Sequence, residues 1–61
     1  MSIEEKIELN KRVRRYEGDN SFLVSVTKYL KTTKNFFLDS NGKKHKELSE
    51  KQYKAVSEMT F

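Results

Sequence analysis

The sequence predicts an all-α fold, a single small domain over residues 1–61 with helices at about 3–17, 21–34 and 50–60 and a basic Asn-Gly loop between the second and third. Three observations predict it. Ser2 with Glu5, and Ser49 with Gln52, have the spacing of a capping box, in which side chains at a helix start satisfy its first unpaired amides. Apolar residues from Phe22 to Leu30 recur at helical intervals. The turn-forming clusters Gly18-Asp19-Asn20-Ser21 and Asp39-Ser40-Asn41-Gly42 separate the segments, and no proline interrupts any of them.

The first helix is expected to start at Ile3 and run to Glu17, where Gly18 stops it. Glu4, Glu5 and Glu8 load its start while Lys11, Arg12, Arg14 and Arg15 fall near its end, the distribution a helix dipole favours. Its apolar residues split into two sectors. Leu9, Val13 and Tyr16 lie together at 100° per residue, whereas Ile3 and Ile7 lie well around the helix. The first sector suits the core, and the second either meets a partner or wraps a neighbouring element.

In the second segment Phe22, Leu23, Val26, Tyr29, Leu30 and Thr33 form an amphipathic stripe, and Asn20 or Ser21 can cap it. The alternation of Val24 and Val26 with Ser25 and Thr27 keeps a strand reading open, but the helical spacing is longer and decides for a helix. Phe36-Phe37-Leu38 continues the stripe only if the helix extends. The alternative fold is α+β with a short hairpin at 35–46, pairing Asn35 to Leu38 with Lys43 to Lys46 across Asn41-Gly42. The second of those runs lacks β-branched or aromatic residues, so a loop is the expectation.

The third helix should begin at Glu50, because Leu48 and Tyr53 have the spacing of a hydrophobic staple around the Ser49 cap. Tyr53, Val56 and Met59 or Thr60 give it a narrow apolar stripe.

Sixty-one residues hide only roughly 60% of the surface the unfolded chain exposes, so the core is small. With no cysteine, neither a disulfide framework nor a thiolate zinc site can reinforce it. The longest apolar runs are far short of the ~20 residues of a membrane span. Met1-Ser2-Ile3-Glu4-Glu5 lacks the basic start and apolar stretch of a secretory signal, which makes the cytoplasm the expected compartment.

Catalytic chemistry is hard to assemble. His45 is the single histidine and sits in a lysine run in the expected loop, Gly18 and Gly42 are isolated turn glycines, and Ser2, Ser21 and Ser49 are spoken for as caps. The reading is a non-enzyme with no cofactor, no catalytic residue and no metal ligands. A net charge of +4 gathers in two clusters, Lys11, Arg12, Arg14 and Arg15 in the first helix and Lys43, Lys44, His45 and Lys46 in the loop. Of the aromatic residues, Phe22, Tyr29, Tyr53 and Phe36 are assigned to the core, and Tyr16, Phe37 and Phe61 are left as candidates for an exposed anchor.

Phe22-Leu23-Val24-Ser25-Val26 and Leu48-Ser49-Glu50-Lys51-Gln52, with Val56 and Met59, can be read together over roughly residues 20 to 60. The order F-L-x-S-[LV], spacer, L-S-x-K-Q resembles a short helical segment of phage and bacterial nucleic-acid-processing proteins, among them helicase-like and recombination-associated ones. The spacer here is longer than in that segment. The resemblance implies a small accessory protein of phage DNA metabolism or host interaction and carries no catalytic residues.

Two functions are therefore expected. The first is a protein-binding module, phage-encoded, docking on a host or phage protein of nucleic-acid metabolism or defence through Arg12, Arg14, Arg15 and Tyr16, with Ile3 and Ile7 as a second contact or a homodimer face. The alternative is sequence-independent nucleic-acid binding, with Lys11, Arg12, Arg14, Arg15, Lys43, Lys44 and Lys46 meeting phosphates.

Overall fold

The computed structural model describes residues 1–59. Its elements run α1 (Ile3–Arg15), α2 (Ser21–Thr32), β1 (Phe36–Leu38), β2 (Lys44–Lys46) and α3 (Glu50–Glu58). Three helices are present as expected, and the 35–46 region is a hairpin rather than a loop, so the α+β alternative is the closer description.

Each helix starts where its cap puts it. Ser2 Oγ accepts from Glu5 N at 3.2 Å, but the Glu5 carboxylate takes the Ser2 hydroxyl at 3.4 Å, so only half of that box forms. Asn20 caps α2 by accepting from Leu23 N. At Ser49 both halves of the box are made, with the staple residues Leu48 and Tyr53 both buried.

The helix ends depart from expectation by about two residues, each for a local reason. α1 stops at Arg15 rather than Glu17 because Tyr16 turns extended, laying its ring over Gly18 while its hydroxyl accepts from Asn20 N at 2.9 Å. A Cβ on Gly18 would overlap that ring, so the glycine serves a close approach here. α2 stops at Thr32 rather than residue 34: Thr33 is extended and buried, and its hydroxyl accepts from Asn35 N. α3 ends at Glu58 with Met59 as its cap; Thr60 and Phe61, expected at the end of that helix or as an exposed anchor, lie outside the described residues.

The core is one cluster of Leu9, Val13, Leu23, Val26, Leu30, Leu48, Tyr53 and Val56, formed where α1 packs against both α2 and α3. Asn10 is also buried and is fully bonded. Its amide donates to the Lys46 carbonyl at 2.7 Å, and its Oδ1 accepts from the Tyr53 hydroxyl at 3.0 Å. One α1 side chain thus ties β2 and α3 to the core, and removing it would cost the Tyr53 hydroxyl its acceptor and the Lys46 carbonyl a donor.

The hairpin pairs Phe36 with Lys46, Phe37 with His45 and Leu38 with Lys44. Asp39 N donates to the Lys43 carbonyl and Gly42 N to the Asp39 carbonyl, with Gly42 at φ 77°, so a tight turn is completed by a left-handed glycine. The Asp39 carboxylate accepts from the amides of Asn41 and Lys43 inside that turn. β2 has poor strand propensity, as its sequence indicates, and its contacts come from elsewhere: Lys46 Nζ donates to the Thr33 carbonyl at 2.9 Å, Glu47 N to the Asn35 carbonyl at 3.1 Å, and the Lys46 carbonyl accepts from Asn10. Tertiary contacts override propensity here.

Candidate nucleic-acid interface

Strand alternation sorts the hairpin into two faces. Phe37 and His45 point inward together, their rings stacked with centroids 5.3 Å apart, and His45 Nε2 lies 2.8 Å from Asp39 Oδ2. Behind them Lys6 bonds Glu47 at 2.8 Å, and its ammonium sits 5.5 Å from the Phe37 ring and 5.7 Å from that of Tyr53. These contacts use His45 structurally, as a strand residue rather than the loop residue expected. Hydrogen bonding to His45, and then to the Lys43 amide, holds the Asp39 carboxyl below its ordinary value.

Phe36 and Leu38 point the other way, each half-exposed at 50%, alongside Lys44 and Lys46. The assignment of Phe36 to the core is thereby corrected: that reading needed α2 to extend, and a strand beginning at Phe36 turns its ring outward. Phe22, at 39%, is also more exposed than a core residue. Phe37, expected outside, is half-buried in its stead.

The Lys44 ammonium lies 4.7 Å from the centre of the Phe36 ring, a cation–π contact at the surface. Arg14, from the last turn of α1, and Lys34, from the segment after α2, join Phe36, Lys44, His45 and Lys46 around one open recess. Among the described residues no carboxylate lines it. The acids line other recesses, Glu5 and Glu8 one, Glu50 another and Glu17 a third, while Asp39 is turned in toward His45. The recess is therefore a concentrated cationic surface beside the exposed ring of Phe36, with Leu38 exposed on the same hairpin face outside it.

The basic residues named from sequence divide accordingly. Arg14, Lys44 and Lys46 are brought together. Arg12 lies 3.8 Å from Glu8 and, with Arg15 and Tyr16, borders a separate shallow recess that also contains Glu17. Lys11 and Lys43 are exposed and do not line the hairpin recess. Of the residues named for partner docking, Ile3 is 41% exposed, Ile7 is half-buried, and Tyr16 is engaged in the α1–α2 turn. Lys34 and Phe36 are functional candidates that sequence reasoning missed. The hairpin alternative carried only part of the signal: pairing Asn35–Leu38 end to end with Lys43–Lys46 sets Phe36 opposite His45, whereas the observed register, with Phe36 opposite Lys46, puts Phe36, Leu38, Lys44 and Lys46 on one face.

Among the described residues no helix is long and apolar enough to cross a membrane. No family model, curated protein or solved structure matches this chain.

Proposed function

We propose that the protein is a non-enzymatic binding module that holds nucleic acid on the outer face of its hairpin, without reading sequence. The observation that carries this is the acid-free grouping of Arg14, Lys34, Lys44 and Lys46 around a half-exposed Phe36. Phosphate contacts from Lys and Arg side chains supply sequence-independent affinity and make it fall with salt through counterion release. No donor set for reading base edges is needed for this. The resemblance of the α2 and α3 segments to parts of phage and bacterial nucleic-acid-processing proteins agrees with an accessory role in such metabolism.

The test is binding of a labelled oligonucleotide as salt is raised. With about three phosphates neutralised, the log–log slope for a single strand is expected near about −2. Arg14→Gln combined with Lys34→Gln should flatten that slope by about 1 and weaken binding at low salt. Binding that is absent at low salt, or insensitive to salt, contradicts the proposal.

Docking on a protein is the second reading, favoured by a different place on the surface. Met1 is 56% and Ile3 41% exposed at the start of α1, neither lines the hairpin recess, and a partner or a second copy of the chain could cover them. Ile3→Lys should then abolish capture of that partner or dissociate a dimer in sedimentation, while leaving oligonucleotide affinity unchanged.

A further inference from the structure

Phosphate contacts alone do not distinguish a duplex from a single strand, and the hairpin face carries one feature that does. Phe36 opens β1, half-exposed, with Lys44 over its ring and with Lys46 as its cross-strand neighbour. Leu38, two residues along, is half-exposed on the same side of the hairpin. Leaving two large apolar side chains outside a core this small costs stability, since the same residues buried would contribute to it.

We infer that Phe36 is a base-stacking platform and that the site takes single-stranded nucleic acid in preference to duplex. This rests on the reading of the hairpin face as a nucleic-acid interface and names its substrate class. In a duplex each base is already stacked on both faces and presents only its edge to a groove, so an aromatic ring on a protein surface finds no free base face. An unpaired base has one. Lying against Phe36, it would bring its flanking phosphates within reach of flexible ammonium and guanidinium groups on either side, Lys44 and Lys34 from the hairpin and its approach, Arg14 from α1. Stacking of this kind tolerates any base, because every base has a π-face, so binding without sequence preference follows even though Asn35, which also lines the recess, carries an amide able to bond a base edge. Leu38 supplies van der Waals contact to a neighbouring base but no π-face, so the platform holds one base firmly and its neighbour weakly.

The inward partner of this arrangement matters as well. Phe37 and His45 stack on the opposite face of the same two strands and fix the hairpin on Lys6, so the outward residues stand on a braced ladder rather than on a free loop. Such bracing reduces the ordering that binding would otherwise require.

The experiment compares three probes at low salt by fluorescence anisotropy and competition: labelled oligo(dA) of about 12 nucleotides, a self-complementary duplex of similar length, and inorganic polyphosphate. Each is measured with the intact chain and with Phe36→Ala, Phe36→Leu and Phe36→Tyr, folding being checked by circular dichroism. Phe36→Leu keeps apolar bulk without a π-face and so covers the case in which alanine loosens the hairpin. The expected result is several-fold tighter binding of the single strand than of the duplex, a loss of at least about fivefold for the single strand in the alanine and leucine variants, retention in the tyrosine variant, and little change for polyphosphate. Equal affinity for single strand and duplex, with all three variants behaving like the intact chain, overturns this inference while leaving the electrostatic interface standing. Failure of the intact chain to bind any of the three probes overturns the interface itself.

Discussion

Tyr53 donates its buried hydroxyl to Oδ1 of Asn10 at 3.0 Å, and the same asparagine passes the connection to β2 by donating its amide to the Lys46 carbonyl. One residue of α1 therefore ties the third helix and the hairpin to one point. Asn10→Leu keeps the bulk but leaves the Tyr53 hydroxyl and the Lys46 carbonyl short of a partner, which costs about 1–3 kcal/mol. In a domain of this size, with total stability of about 3–5 kcal/mol, chemical denaturation should show a substantial part of that stability gone. An Asn10→Leu chain as stable as the parent contradicts the connection.

The cap of the third helix is the next measurable feature. Ser49 accepts from Gln52 N while Gln52 returns a bond to Ser49 N. Ser49→Ala should cost about 1 kcal/mol and lower Tm by about 4–8 °C. Ser40→Ala, exposed in the hairpin turn, should do much less. Equal shifts in a thermal melt contradict the assignment of Ser49 as the boundary.

Acid should loosen the hairpin before it unfolds the helices. The Asp39 carboxyl is held below its ordinary value of 3.8, first by its bond to His45 and then by the amides of Lys43 and Asn41. A carboxylate stabilised in the fold contributes fully above its unfolded pKa, and that contribution is lost as pH falls through the lowered folded value. Amide signals of residues 39–43 and ring signals of Phe37 should thus lose dispersion below about pH 4. In Asp39→Asn, which carries no charge to titrate, these signals should already be altered at neutral pH and change little with acid. Signals from the parent that ignore acid contradict this account.

Alkali acts on the other side of the hairpin. The Lys6 ammonium is held above its ordinary 10.5, chiefly by its bond to Glu47, and burial raises the Tyr53 phenol above 10.0. Both folded values lie above the unfolded ones, so both contributions are complete below about pH 10 and are lost as pH rises through the raised values. Thermal stability should decline above that point, and less steeply in Lys6→Met, where one of the two titrations is absent. A parent chain whose melting is flat with pH through that range contradicts both assignments.

How far the sequence revealed this molecule depends on what held each element. Helix starts were legible because Ser2 and Ser49 act through neighbours three residues away, and the buried stripe of Leu23, Val26 and Leu30 was legible because its period is local. Helix ends were less so: Tyr16 leaves α1 to cover Gly18, and Thr33 leaves α2 to bond Asn35, neither of which follows from propensity. The hairpin stayed the secondary reading because Lys44-His45-Lys46 is a weak strand on its own; its bonds reach Thr33, Asn35 and Asn10, the last 36 residues away. The interface followed the same rule. Arg14, Lys44 and Lys46 were legible as charge, but their meeting with Lys34 and Phe36 exists only once the chain turns at Gly42.

The central claim is that nucleic acid meets the outer hairpin face, and mapping amide shifts by NMR while titrating a short single-stranded oligonucleotide tests it most directly. The predicted result is a contiguous set of perturbed residues comprising Arg14, Lys34 to Leu38 and Lys44 to Lys46, suppressed together as salt is raised. Perturbations confined to Arg12, Arg15 and Glu17, or to the start of α1 around Ile3, with Phe36 and Lys44 unmoved, would contradict it.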